Sequence, residues 1–215
     1  SWDELTINTL IERSAEKFPT KTALQIKREG YWQRFTYKDL HEAAQKIGQA
    51  FLEMGLQKGD RVVLYSENIP EWGAAYLGAA SIGVVVVPLD AQTWHKEVWS
   101  VVRFTQSRAL LASEYCLARL ASEALKENEA RESPVTLLNV NQRCQPFALN
   151  EYPRSTQPPR QEATLREKIQ VEPSDLASII FTNSTAVDPK GALHTHRNFI
   201  ANLLGVNHHL PVTES

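Results

Sequence analysis

Four valines in a row, Val84–Val87, are the strongest constraint in this sequence. A strand buried on one face alternates apolar and polar residues. A strand with no polar position is covered on both faces. A second such run, Val62-Val63-Leu64, lies within Arg61–Tyr65, one helix-length upstream. Between the two, Pro70 opens a segment carrying Trp72, Tyr76 and Leu77, and proline suits a first helical position. Two doubly covered strands joined by a helix make a parallel βαβ unit. Right-handed crossovers then put helices on both faces of the sheet.

The rest of the chain extends this pattern. Leu10, Ile11, Ala15 and Phe18 have helical spacing within Leu5–Phe18, and Pro19 stops the helix. Thr22–Lys27 and Tyr31–Thr36 flank the turn Arg28-Glu29-Gly30 and read as an antiparallel hairpin. Thr36 and Asp39 form a capping signal ahead of the apolar stripe Leu40, Ala43, Ala44, Ile47, Phe51 and Met54. Gly55 ends that helix. Thr93 is the expected cap of a further helix with Trp94, Val98, Val101, Val102 and Thr105 inward. Arg108–Ala112 and Val135–Val140 read as strands around a helix outlined by Leu117, Leu120, Ala121, Ala124 and Leu125. The expected fold is therefore α/β: a mostly parallel sheet, helices on both faces, and an N-terminal antiparallel hairpin.

Residues 141–163 have no apolar period and contain Pro146, Pro153, Pro158 and Pro159. They read as a proline-rich connector between a first α/β subdomain, residues 1–140, and the start of a second, residues 164–215.

Composition excludes several function classes. The net charge of −2 over 215 residues argues against nucleic acid, since the basic residues are scattered rather than clustered with aromatics. No basic and apolar leader is visible at the start, and the two cysteines, Cys116 and Cys144, have no metal-ligand or redox spacing. Free thiols in a cytoplasmic, reducing setting are expected. Trp72–Leu89 carries no charge, but Gly73, Gly78 and Gly83 punctuate it and Pro88 closes it. A helix followed by a strand explains it better than a membrane span of ~20 residues, which leaves only peripheral membrane contact open. The five tryptophans are expected at core-facing or edge positions.

The most informative polar stretch is Thr182–Gly191, TNSTAVDPKG. It follows the apolar run Ser178–Phe181 and precedes a helix beginning near His196. Strand, small-polar loop, helix is one layout that gathers hydroxyls and backbone N–H groups around a phosphate, with Lys190 as a point charge. The same residue types also make an ordinary surface turn. No GxxxxGK[ST] is present.

This loop resembles the signature loop of the adenylate-forming enzymes, close to TSGTTGxPKG followed by a short strand and a TH-x-N or SH-x-N helix start. Thr182, Thr185, Pro189, Lys190 and Gly191 match, as do Thr195, His196 and Asn198. Ser184 and Val187 stand where the family has glycine, and Asp188 replaces a frequent lysine. FTYKDL, GLQKGDRVVLYSENIPEW, GAASIGVVVVPLD and PSDLASIIFT occur in family order, so the resemblance covers nearly the whole chain. It is nearest the acyl-CoA synthetase branch, including the long-chain fatty-acid–CoA ligases.

The resemblance implies a ligase. A carboxylic acid, by this branch a fatty acid, attacks the α-phosphate of Mg-ATP to give an acyl-adenylate and pyrophosphate, and the thiol of coenzyme A then displaces AMP. It places the ATP phosphates against Thr182, Ser184, Thr185, Lys190 and Gly191. It also implies that the adenosine pocket, the Mg2+ site and the catalytic lysine lie in a further C-terminal portion of the parent chain. No catalytic residue or metal ligand is therefore assigned here, and the 215 residues alone are expected to be inactive. His196 is expected to be a local hydrogen-bonding residue.

The departures support a second reading, a degenerate member used for binding or interaction. An Asp carboxylate ~6 Å from a phosphate is repelled by roughly 3 kcal/mol per unit charge at an effective dielectric near 20. A third reading, an unrelated doubly wound nucleotide-binding domain, lacks the GxGxxG that a dinucleotide version needs.

Overall fold

A computed structural model of the chain describes residues 2–120, 126, 128, 135–140, 169–181 and 190–209. The expected connector, residues 141–163, and the helical positions Ala121, Ala124 and Leu125 lie outside the described residues.

Two sheets form. The smaller is the expected hairpin, β1 (Thr22–Arg28) antiparallel to β2 (Tyr31–Thr36). Its two-residue turn has Glu29 at φ 50° and Gly30 at φ 85°. Both values are left-handed, the type I′ geometry that matches strand twist.

The larger sheet contains β3 (Arg61–Ser66), β4 (Val85–Asp90), β5 (Ala109–Ala112), β6 (Thr136–Asn139), β7 (Leu176–Phe181) and β8 (Gly191–Thr195). The spatial order is β6-β5-β3-β4-β7-β8. All neighbours are parallel except β7 and β8. The helices whose bounds are described are α1 (Ile7–Lys17), α2 (Tyr37–Glu53), α3 (Pro70–Ser81), α4 (His95–Phe104), α5 (Glu114–Arg119) and α6 (His196–His209).

The unbroken apolar strands divide by residue parity between two cores. Val62, Leu64, Val84 and Val86 face α2 and α3, packed with Ile47, Phe51, Ala75 and Ala79. Val63, Tyr65, Val87 and Leu89 face the other way, against Val98, Trp99 and Val102 of α4 and Cys116 of α5. This is the two-faced burial that an all-apolar strand requires. On the first face α2 and α3 approach closely through glycine. A Cβ on Gly78 would lie 2.5 Å from Ile47 Cγ2, so the small residue sets the helix spacing.

Local signals act as expected at α2. Thr36 Oγ1 accepts from the Asp39 N–H at 3.1 Å, and Asp39 Oδ2 accepts from the Thr36 N–H at 2.9 Å. Thr6 and Thr9 make the same reciprocal cap on α1. Other expectations are corrected. Met54 is exposed at the end of α2, because the helix stops before its turn reaches the core. Trp94, not Thr93, is the N-cap of α4, and no side chain caps it. Trp94 is also exposed, and Trp99 occupies the core position instead. Trp2 and Trp32 are likewise exposed.

Candidate functional site

In a parallel sheet the loops at the carboxyl ends of the strands converge, and ligands collect where neighbouring connections diverge. Here that point lies between β4 and β7. After β4 the chain crosses back over β3 to reach β5, whereas β7 leads outward to β8. The candidate loop leaves the carboxyl end of β7 at this divergence.

Thr182, Ser184, Thr185, Val187, Asp188 and Pro189 lie outside the described residues. Lys190 and Gly191 close the loop. Lys190 is exposed and immediately precedes β8. Gly191 pairs with Phe181, so the two ends of the loop are neighbours across the ladder. A Cβ on Gly191 would lie 2.7 Å from Ile179 Cγ2 and 3.2 Å from Phe181 Cζ. Glycine here is set by side-chain packing within the hairpin.

The strand–loop–helix layout is corrected. β8 intervenes and runs antiparallel to β7, with Phe181 opposite Gly191 and Leu176 opposite Thr195. The amino end of α6 is therefore a strand-length from the loop, roughly 15 Å at ~3.4 Å per residue. Its N–H groups lie at the other end of β8 from Gly191. The short strand implied by the resemblance is the arrangement found.

The Thr195-His196-x-Asn198 motif has a structural explanation. The Asn198 Oδ1 accepts from the Thr195 N–H at 2.8 Å, and Thr195 Oγ1 accepts from the Asn198 N–H at 3.3 Å. This is a capping box with Asn at the third position. His196 is fully buried beneath it. Its Nδ1 accepts from the Ile7 N–H at 3.3 Å, which puts the ring proton on Nε2. Among the described residues Nε2 has no partner. Burial holds the imidazole down at about 4, with Lys58 lowering it further and Asp175 pulling the other way. His196 is a hydrogen-bonding residue as expected, but its bond is not local: it spans 189 residues to the amino end of α1.

A further anchor lies below β7. Lys58 Nζ is 2.6 Å from Asp175 Oδ2 and donates to the Gln170 carbonyl at 2.8 Å. The Glu172 N–H also donates to Asp175, at 2.6 Å. Burial raises the Asp175 pKa, but these hydrogen bonds outweigh it and hold the carboxyl below its usual value. The pair fixes where the chain re-enters the sheet before the loop.

One polar cluster at the carboxyl ends was not legible in the sequence. Glu67 follows β3 and Ser113 follows β5. The Ser113 hydroxyl donates to Glu67 Oε2, and Cys116 Sγ lies 3.6 Å from the same oxygen. Burial pushes the Cys116 thiol up to about 11, and the Glu67 carboxylate adds to this against the Ser113 hydrogen bond. Cys116 is a buried free thiol, and burial disfavours its thiolate, the nucleophilic form. Cys144 lies outside the described residues. Only strand adjacency brings Glu67 and Ser113 together, so no sequence spacing announces them.

Among the described residues no group of three His, Cys, Asp or Glu side chains could hold a metal ion. Among the described residues no helix is long and apolar enough to cross a membrane.

Comparison with known proteins agrees with this architecture. The model of the AMP-binding enzyme family matches residues 11–215. The crotonobetaine/carnitine–CoA ligase of Proteus mirabilis is 28% identical over 199 residues, 92% of this chain and 36% of its own length. The Citrobacter koseri ligase of the same name is 30% identical over 200 residues, with the same coverage. The chain thus spans about a third of the length of these relatives. The structure of VinN with 3-methylaspartate superposes with a TM-score of 0.75 at 20% identity, covering 97% of this chain and 52% of that one. A fatty acyl CoA synthetase of Mycobacterium tuberculosis gives 0.64 at 21% identity, covering 89% and 34%. The structural likenesses establish the fold, and the family match over nearly the whole chain establishes the lineage: this chain belongs to the AMP-binding enzyme family.

Proposed function

We propose that the chain supplies the ATP-phosphate-binding part of an AMP-forming acid–CoA ligase. The observation that carries this reading is the position of Lys190. It closes a polar loop at the carboxyl end of β7, where the connections of the sheet diverge. Thr182, Ser184 and Thr185 would offer hydroxyls to the β- and γ-phosphates, Lys190 a cation, and Gly191 the tight return into β8. A carboxylate oxygen attacks the α-phosphorus, pyrophosphate leaves, and the coenzyme A sulfur then forms the thioester as AMP departs. Magnesium enters as Mg-ATP. The chain's part is to position the triphosphate and neutralise its charge.

The acid is a fatty acid on the resemblance to the long-chain branch. The names of the relatives favour a short betaine-type acid. Both belong in the test. The parent protein should exchange labelled pyrophosphate into ATP in the presence of its acid. Lys190→Ala should lower that exchange by about a hundredfold, the scale of losing one charge-stabilising donor. The 215 residues alone should show none. No exchange by the parent across fatty, short-chain and betaine acids would refute the ligase reading.

A second reading rests on Ser184, Val187 and Asp188. Valine resists the positive φ and close phosphate approach that glycine permits. In that reading the protein is a degenerate family member acting as a binding domain. Restoring glycine at 184 and 187 would then leave its biological role unchanged.

A further inference from the structure

The β1–β2 hairpin has one face turned to the protein and one turned out. Leu24 packs near Gly73 of α3, and Arg28 donates to both carboxylate oxygens of Glu71 at 2.9 and 2.8 Å. Leu24, Ile26 and Arg28 therefore mark the inner face. The outer face follows from strand alternation and register. Gln25 pairs with Arg34, and Lys27 with Trp32. All four are exposed. Trp32 keeps 58% of its surface in solvent, and Tyr31, at the tip, keeps 79%. The outer face is thus an indole flanked by two cations, and Tyr31, which pairs with Arg28 of the inner face, is exposed beside the turn. The nearby acid is Glu29, in the turn. Among the described residues neither Lys27 nor Arg34 makes a side-chain ion pair.

We propose that this hairpin tip is a docking surface for an anionic membrane interface. Trp and Tyr are the residues that settle at the headgroup level, where one end of the ring is apolar and the other wet. Lys27 and Arg34 supply the complementary charge for acidic headgroups. The size of the patch favours lipid over a protein partner. A stable protein interface takes roughly 20–30 residues a side, and this patch offers five. A fluid interface needs no matching surface, so a few exposed side chains can enter it. The inference rests on the hairpin alone and is independent of the ligase reading.

The test uses the 215-residue chain with vesicles of phosphatidylcholine containing about 30% phosphatidylglycerol, against pure phosphatidylcholine. Co-sedimentation should show binding to the acidic vesicles that weakens with salt. Lys27→Gln and Arg34→Gln should each lower the partition coefficient about fivefold. Tyr31→Ser with Trp32→Ala should lower it at least about tenfold. All four positions are exposed, so circular dichroism should be unchanged. Failure of the wild-type chain to bind acidic vesicles would overturn the proposal. So would binding that the variants leave intact, or a hairpin-dependent dimer in sedimentation without vesicle binding. Unaltered pyrophosphate exchange by the same variants of the parent protein would confirm that the two readings are separate.

Discussion

Gly191 lies directly across the ladder from Phe181, and the phenyl ring occupies the space a side chain at 191 would need. Ile179 crowds the same point more closely, at 2.7 Å from an added Cβ. Gly191→Ala should therefore strain the β7–β8 pair even though the φ of Gly191 lies outside the left-handed region. Overpacking of this kind costs about 1–3 kcal/mol. Thermal denaturation should show a lowered Tm, and Gly191→Ala with Ile179→Val should recover part of it. An unchanged Tm in the single variant would mean that the two strands separate freely.

Arg28 and Glu71 fasten the hairpin to the first turn of α3. The Glu71 side chain is 5% exposed and that of Arg28 35%. Arg28→Ala leaves a buried carboxylate without its cation. The loss should be about 2–3 kcal/mol, under the ~3–5 kcal/mol of fully buried pairs because solvent reaches the arginine side. Glu71→Gln in the same background should recover much of the loss, since the uncompensated charge is then gone. Urea denaturation of the two single variants and the double variant would measure the coupling.

His196 links acidity to folding. Its pKa is about 4 in the fold and near 6.5 when unfolded. Between these values the unfolded chain binds more protons, so stability rises with pH across that window and is lost as pH falls through it. The contribution is about 3 kcal/mol at most, present in full above pH ~6.5. His196→Gln keeps an acceptor for the Ile7 N–H and removes the titration. The difference in unfolding free energy between wild type and variant should therefore narrow in favour of the variant from pH 6.5 to pH 4. Parallel stability curves over that range would show that the ring is not held neutral.

Most of the architecture was legible because it rests on local rules. The unbroken valines of β4 announced double burial, Thr36 and Asp39 announced a helix start, and Glu29-Gly30 announced a tight hairpin. What escaped the sequence was relational. Trp94 is the N-cap of α4 and Trp99 lies five positions on within it, and only the placement of α4 on the sheet decides which is buried. The direction of β8 is set by its pairing with β7, which moved the start of α6 away from the loop. Thr195 and Asn198 carry a readable capping spacing, which coincides with part of the family signature. Glu67 and Ser113 meet only because β3 and β5 are neighbours. Of the loop itself, the described residues are Lys190 and Gly191, at the start of β8.

β8 closes one margin of the larger sheet among the described strands, and Leu193 on it is 65% exposed. A greasy outermost strand with one side of its backbone unpaired is a template for other chains. The isolated 215 residues should therefore self-associate as concentration rises, by a route that bypasses the hairpin. Leu193→Lys should act as a gatekeeper and keep the chain monomeric in light scattering at loadings where the parent sequence turns turbid. A feature read above as the frame of a nucleotide loop thus also sets how the polypeptide behaves in a test tube.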